Sequence, residues 1–430
     1  MLGFTPISQS VMILGVNLTE LDRIKDDRIQ SGEGMISLVG KSQDTFQIEQ
    51  RRARRKKILL SSLAGILVTA IILFVLAKLY LNHKYDGYQV ERSISVKDSN
   101  AMQYLSYAGG VIRYSRDGVA AMGASGKDLW NGSYDMDRPA VDTCGTSAVV
   151  ADIGGKTLYV HTEKGQGTEM SMDYEILQAC ISGQGVVAVM LEDTDSNMIH
   201  VYDPYASGEK LLVEIPTNVE TGFPVSMDIS QDGTSMTVSY VSMFSGVVES
   251  RVAFYNFTNV GENTNCLVGA QEYKDRVVSE VRYLGDSKVC LFSEKGYSIW
   301  GNLKKPSEIA KQDFKQDILS AFCDEDYVGV VLAGNKEGKG QMRVFNLQGK
   351  EQMSRKIDTD YSHIAIYGKE IMINTADSCD IYLVNGVHKW KCSLKDHILH
   401  FLPSKGMNCY FLIEDNEIKK IKLKNNEKGS

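Results

Sequence analysis

The sequence predicts an all-β protein, an eight-bladed β-propeller (seven blades if two of the weaker repeats merge), preceded by one transmembrane α-helix. Three observations predict it. An uninterrupted apolar run follows directly on a basic cluster. The rest of the chain consists of short runs rich in Val, Ile, Tyr and Phe, punctuated by Gly, Asp, Asn and Ser. Within that region a strand–turn–strand pattern recurs about every 40 residues.

The apolar run lies in "RRARRKKILLSSLAGILVTAIILFVLAKLY". Six basic residues, Arg51, Arg52, Arg54, Arg55, Lys56 and Lys57, lead into twenty uncharged, mostly aliphatic ones, Ile58 to Ala77. As a helix, that run spans roughly 30 Å, the thickness of a bilayer's hydrocarbon core. A buried globular helix of this length would show a polar stripe, and a signal peptide would have a shorter apolar segment at the extreme N-terminus. The expected division is therefore a partly disordered cytoplasmic tail at 1–57, an anchor helix through the lipid bilayer at 58–81, and an extracytoplasmic domain at 82–430. The charge excess on the N-terminal flank orients it so. "LTELDRIKDDRIQ" in the tail has the spacing of a short amphipathic helix, and Met35 offers an alternative start.

With 43% apolar and 23% charged residues the composition is that of a folded protein. Residues 1–57 carry ten Lys/Arg against seven Asp/Glu, whereas the chain as a whole has a net charge of −7. The outer region is thus strongly acidic, which excludes nucleic acid as a partner. All eight cysteines fall in it, at wide, irregular spacings and mostly inside apolar runs such as "KVCLF", where a thiol serves as a small buried hydrophobe.

The repeat reads as strand–turn–strand in "YLSYAGGVIRYS", "AVDTCGTSAVVAD", "LQACISGQGVVAVM", "VSMDISQDGTSMTVSY", "EVRYLGDSKVCLFS", "LSAFCDEDYVGVVL", "HIAIYGKEIMINT" and "LHFLPSKGMNCYFLI", each followed by a third strand. The third strands start 37 to 53 residues apart. One such sheet cannot bury both faces alone, so copies must stack around an axis. The last copy lacks a fourth strand, and "YQVERSIS" at Tyr88–Ser95 is a strand without a blade, so pairing the two would close the ring. Two of the three tryptophans follow a turn glycine at the same spacing, in "GKDLW" (Gly126 to Trp130) and "GVHKW" (Gly386 to Trp390). Met353 and Leu212 take that place in other repeats. These large residues are expected to act as wedges between blades. Cys144, Cys180 and Cys323 likewise share one station, where the first strand enters its turn.

The basic cluster, the anchor and repeats such as "GGVIRYSRDGVAAMGASGKDLW" make residues from about 51 to 430 resemble a family of bacterial single-pass membrane proteins with an external propeller-like domain, of WD-type or quinoprotein-type repeats, and no assigned function. The resemblance implies architecture and supplies no catalytic residues. Quinoprotein dehydrogenases use a vicinal cysteine pair and a calcium site. No Cys-Cys occurs here, and no cofactor is expected.

Other candidate chemistry reads as structure. Asp193, Asp195 and Asn197 alternate like the first ligands of a calcium loop, but Met198 and Pro204 stand where the loop needs Gly and Glu. Cys392, His397, His400 and Cys409 match no zinc spacing, and no metal is expected. The fourth repeat stands apart: its central hairpin is longer, and its turn at Ser245 and Gly246 is flanked by Met243, Phe244, Val247 and Val248, an apolar tip suited to a partner or a bilayer. The expected function is a non-catalytic binding or scaffold module in the cell envelope, recognising a protein or glycan. The alternative is a hydrolase or lyase acting on wall polymer with Asp142, Asp324, Glu325 or Asp326 near the central channel, a reading that requires acids to converge in one pocket.

Overall fold

The computed structural model describes residues 34–96, 102–163, 165–193, 196–217, 222–244, 247–262, 265–274, 276–393 and 398–425. It divides into two compact units, Met1–Leu81 and Asn82–Ser430.

The first unit contains helix α1, Gly34–Leu81. It begins upstream of Ile58 and includes the basic cluster, because residues 34–57 hold no proline and are rich in Gln, Glu, Lys and Arg, all good helix formers. Its segment Arg54–Leu81 is long and apolar enough to cross a membrane, and none of it is buried. The expected amphipathic helix in residues 18–30 lies outside the described residues.

In the second unit the described residues form eight antiparallel four-stranded sheets. The first blade shows the plan: Gln103–Tyr107, Gly110–Ser115, Gly118–Met122 and Asp128–Ser133 pair in that order. The following blades occupy residues 139–171, 175–216, 223–273, 278–313, 318–358 and 363–393. All eight hydrophobic clusters of the described residues combine residues of adjacent blades. One packs Val344 and Met353 of the sixth against Ile371 and Tyr382 of the seventh. This is the stacking that a period-two strand with two apolar faces demands.

The eighth blade closes the ring as expected. Ile398–Pro403, Cys409–Glu414 and Glu417–Lys424 are completed by the N-terminal strand Gly87–Ser95, which runs antiparallel from Gly87 opposite Lys424 to Ser95 opposite Glu417. First and last strands thus share one sheet, and both of its faces are buried, Ile418 against the first blade and Ile421 and Leu423 against the seventh. Connectivity gives the ring two distinct faces. Turns between first and second and between third and fourth strands lie on one face. Asn82 enters there, its side chain accepting a 2.8 Å hydrogen bond from Asn385 in the seventh blade's third turn. Second-to-third turns and the links between blades lie on the other.

Trp130 and Trp390 are wedges, and the turn glycines receive wedge residues of the preceding blades, Arg92 at Gly126 and Met353 at Gly386. A β-bulge in the fourth strand sets Trp130 opposite Ala121 and Trp390 opposite Ile381. Met353, opposite Val344, holds the same place in the sixth blade, and Arg92, opposite Lys420, in the eighth. Each reaches the next blade. The Trp390 ring centroid lies 5.4 Å from that of Phe401. Met353 lies beneath Gly386, whose added Cβ would stand 3.8 Å from its Cγ. Arg92 crosses Gly126 and donates to the Ser125 carbonyl. Gly126 and Gly386 have φ of +73° and +88°, the left-handed region in which glycine is unstrained.

Leu212 does not take this role. It is 53% exposed, and Val213, opposite Val201, is the residue at the wedge position of the third blade. In the first, sixth and seventh blades the receiving turn closes over five residues, as from Gly123 N–H to the Lys127 carbonyl. In the third blade it runs from Asp203 to Lys210, so counting from the glycine falls one residue short.

Candidate functional site

The first strands line the central channel, and their inner edges carry backbone N–H groups that no fifth strand pairs. Side chains from the preceding blade satisfy several of them. Asp142 Oδ2 accepts from Ile181 N–H at 2.8 Å, from the second blade to the third. Gln178 bonds Met227 through both its groups, donating to the carbonyl at 2.8 Å and accepting from N–H at 3.0 Å. Ser226 Oγ accepts from Val281 N–H at 3.0 Å, and Asp228 Oδ2 from Tyr283 N–H at 2.6 Å. Four consecutive blades are thereby laced together at the axis.

The same lacing brings chemistry-bearing groups together. Asp142, Gln178, Cys180, Asp228 and Arg282 line a cleft of about 280 Å³. Arg282 donates through Nε to Glu280 at 2.7 Å, and half its side chain (52%) is solvent-exposed, so the cleft admits water. Burial raises the Asp142 carboxyl, opposed by the Ile181 N–H and the Arg282 charge. Burial, and then the neighbouring Asp142, raise Asp228 to about 7. Burial is also the main cause that lifts the thiols of Cys144 and Cys323 to about 11 and about 12, and it holds Cys180 well above its ordinary value. These thiols stay protonated at neutral pH and are poor nucleophiles. None of the eight cysteines is bridged.

Of the four carboxylates singled out in the sequence, only Asp142 lines this cleft. Asp324 organises its own turn, accepting from Asp326 N–H at 2.9 Å and Tyr327 N–H at 2.8 Å. Glu325 and Asp326 are exposed on that turn. Asp228 and Arg282 were not evident from the sequence alone. The signal that could have found them is their shared position, one residue before the end of a first strand in "FPVSMDI" and "VSEVRY".

The long hairpin of the fourth blade is present. Its strands, Ser235–Phe244 and Val247–Asn256, pair as far as Phe244 opposite Val247. The first strand of the blade stops pairing at Val241 and the fourth at Ser250, so the ribbon beyond them has both edges open among the described residues. Met243, Val247 and Val248 are 71%, 51% and 39% exposed. Ser245 and Gly246 lie outside the described residues. Phe223 and Val225, at the same end of the blade, are also exposed and add apolar surface that the repeat pattern did not flag. This end of the blade belongs to the face opposite the entry of Asn82.

Among the described residues no group of three or more His, Cys, Asp or Glu is placed to hold a metal ion. Asp195 and His397, of the sets considered above, lie outside them. Cys392, His400 and Cys409 fall in three different strands. His400 packs against Tyr104 and His363, at ring-centroid distances of 5.8 and 6.2 Å, and burial pushes it down to about 4.

Among solved structures the chain is similar to the Neurospora crassa Pan2 WD40 domain, at 11% identity over 67% of this chain and 89% of that one, with a TM-score of 0.41. It is similar to the computationally designed Ika8 protein, at 12% identity over 79% and 100%, with a TM-score of 0.47. It is also similar to Kuenenia stuttgartiensis hydrazine synthase, at 12% identity over 67% and 96%, with a TM-score of 0.43. No curated protein matches the sequence. Residues 81–423, the entire ring apart from its last residues, match one family profile, and the chain belongs to that family, described as "Family of unknown function (DUF5711)".

Proposed function

We propose that this protein is a membrane-anchored, non-catalytic binding module of the cell envelope, whose propeller holds a protein partner through the long hairpin of the fourth blade. The observation that carries the reading is the ribbon at residues 242–244 and 247–249, with Met243 71% exposed and both edges open among the described residues. Apolar side chains held in water on a rigid, doubly unpaired strand pair cost free energy unless something covers them, and such features mark contact surfaces. The open edges offer backbone hydrogen-bonding groups that a polypeptide strand can take up and lipid tails cannot, which favours a protein over the bilayer. Anchoring through residues 58–81, with residues 1–57 cytoplasmic, is supported by the exposed apolar helix and its basic N-terminal flank.

The test is photocrosslinking in intact cells from position 243, comparing the wild-type surface with Val247→Ser/Val248→Ser. A polypeptide captured reproducibly from the wild type and lost in the variant, with thermal unfolding unchanged, supports the reading. Unchanged capture removes it.

The convergence of Asp142 and Asp228 favours a second reading, an envelope hydrolase or lyase with Asp228 as proton donor. Against it, each carboxylate already accepts a backbone N–H from the next blade. Turnover of wall polymer by the wild type, abolished in Asp228→Asn, would decide for the enzyme.

A further inference from the structure

The third and fourth strands of the seventh blade, Ser378–Leu383 and His388–Ser393, set two cysteines directly opposite each other. Cys379 pairs with Cys392, between Ser378 opposite Ser393 and Asp380 opposite Lys391. Opposed residues of an antiparallel pair point to the same face, with Cα atoms about 4.5 or about 5.5 Å apart, and either separation lies inside the window of about 4.4–6.8 Å that a disulfide requires. The neighbouring pair bears out the register on the other face, where Lys391 Nζ stands 3.8 Å from Asp380 Oδ2. Each of the other cysteines in the described strands lies opposite a residue of another kind, as Cys180 opposite Ala188 and Cys409 opposite Lys422.

The two thiols differ in access. Cys379 is fully buried and Cys392 half-buried, and both belong to the cluster that packs the seventh blade on the eighth. That cluster also holds Trp390, Tyr85 and Tyr88. Tyr85 N–H donates to the Lys389 carbonyl at 2.8 Å, and the ring of Tyr88 stands edge-on to Trp390 with centroids 6.0 Å apart. The strand that carries Cys392 therefore receives the segment by which the chain enters the ring, yet as the outermost strand of its blade it has a sheet partner on one side only.

We infer that Cys379 and Cys392 form a redox site, oxidised by a small-molecule disulfide such as oxidised glutathione to a cross-strand bridge that staples this outermost strand to its neighbour. Cys392, the accessible thiol, gives up its proton and attacks one sulfur of the oxidant, expelling the other half as a thiol. Cys379 then attacks the Cys392 sulfur of the mixed disulfide and expels the second half. Two protein thiols are oxidised, one disulfide is reduced, and both protons leave on the released thiols. Burial raises both protein thiols, and the neighbouring Cys392 adds to the rise at Cys379, so exchange is slow at neutral pH and the bridge serves as a staple rather than a cycling redox centre. The site rests on the pairing of two strands and does not depend on the function proposed for the hairpin of the fourth blade.

The test uses the full chain, reduced and held in nanodiscs, incubated with oxidised glutathione, then denatured, alkylated and digested with trypsin without reduction. Trypsin cuts after Lys389 and Lys391, so a bridge leaves the peptides of Cys379 and Cys392 joined. Mass mapping should recover that pair as the predominant oxidised product, and the oxidised protein should unfold at a higher urea concentration than the reduced one. Cys379→Ser should stop after the first step, with one glutathione held on Cys392. In Cys392→Ser the buried Cys379 should react at least about tenfold more slowly than Cys392 does in Cys379→Ser. Should either variant not fold, the wild-type map decides alone. Cys379 and Cys392 recovered as free thiols or joined to other cysteines, or an oxidised form no more stable than the reduced one, overturns the inference, and faster reaction of Cys379 overturns the order of the two steps.

Discussion

The ring of Trp130 in the first blade stacks on that of His161 in the second, with centroids 4.1 Å apart and 16° between the planes. Trp130 Nε1 also donates to Tyr107 OH at 3.1 Å, and that hydroxyl donates to the Thr146 carbonyl of the second blade at 2.5 Å. One side chain therefore joins two blades by stacking and by a relayed hydrogen bond. Trp130→Ala should destabilise the ring by about 2–3 kcal/mol, less than a fully buried tryptophan because its outer face is open to solvent. A double-mutant cycle with His161→Ala, read by denaturant unfolding, should return a coupling of about 0.5–1.5 kcal/mol. Strictly additive losses would show that the stack holds nothing together.

Two turn glycines allow backbone strain to be separated from crowding. Both Gly126 and Gly386 have positive φ, but an added Cβ at Gly386 meets only Met353 Cγ at 3.8 Å, whereas at Gly126 it would lie 2.6 Å from Ile94 Cδ1 and 3.1 Å from Arg92 Cδ. Gly386→Ala should cost about 1–2 kcal/mol, the left-handed penalty alone. Gly126→Ala should cost more, because it also displaces the strand that closes the ring. Equal midpoint shifts in chemical denaturation would contradict this account.

The architecture was legible because blade periodicity is written in strand-length apolar runs and in the glycine-to-tryptophan spacing, both local features. Closure by Gly87–Ser95 followed from counting strands, since one blade lacked a fourth and one strand lacked a blade. The channel pair was legible only in half. Asp142 stood out, but Asp228 and Arg282 meet it across the axis from strands about 85 and 140 residues further on, a proximity set by ring closure rather than by any spacing in the chain. The wedge in the third blade was misassigned by one residue for a related reason: a longer turn moves the register, and exposed Leu212 and packed Val213 are both aliphatic neighbours. Exposure at the hairpin tip was anticipated from strand length.

Asp228 should leave a signature in the pH dependence of stability. Its folded value is raised to about 7 from an ordinary 3.8, so over the interval between these values the native state binds more protons than the unfolded chain. The stability this group contributes is fully present below the ordinary value and is lost as pH rises through about 7. Asp228→Asn keeps an acceptor for Tyr283 N–H and cannot ionise. Relative to wild type it should therefore gain by about 2–3 kcal/mol between about pH 5 and about pH 8. Burial shifts His363 and His400 downward, so their contribution runs the other way, but it is common to both proteins and cancels in the difference. Parallel stability curves for the two proteins would show that the carboxyl is not held protonated by its surroundings.

The basic cluster sets a prediction about orientation. Arg51, Arg52, Arg54, Arg55, Lys56 and Lys57 precede the apolar run, while Lys78, His83 and Lys84 are the basic residues close behind it. Retaining such a charge excess on the cytoplasmic side is what fixes the direction of a single span. In cells stripped of their wall, a protease that cannot cross the membrane should cut the outer unit, for instance in the exposed turn at residues 335–339, and spare an epitope placed at the N-terminus. Replacing the six basic residues by Gln and adding Lys after Leu81 should invert a substantial share of the molecules, seen as protection of the propeller and digestion of the N-terminal epitope. A wild-type propeller that resists the protease in intact cells but is cut after permeabilisation would place the ring on the cytoplasmic side. A propeller released into the medium without residues 58–81 would instead identify the apolar helix as a cleaved export signal.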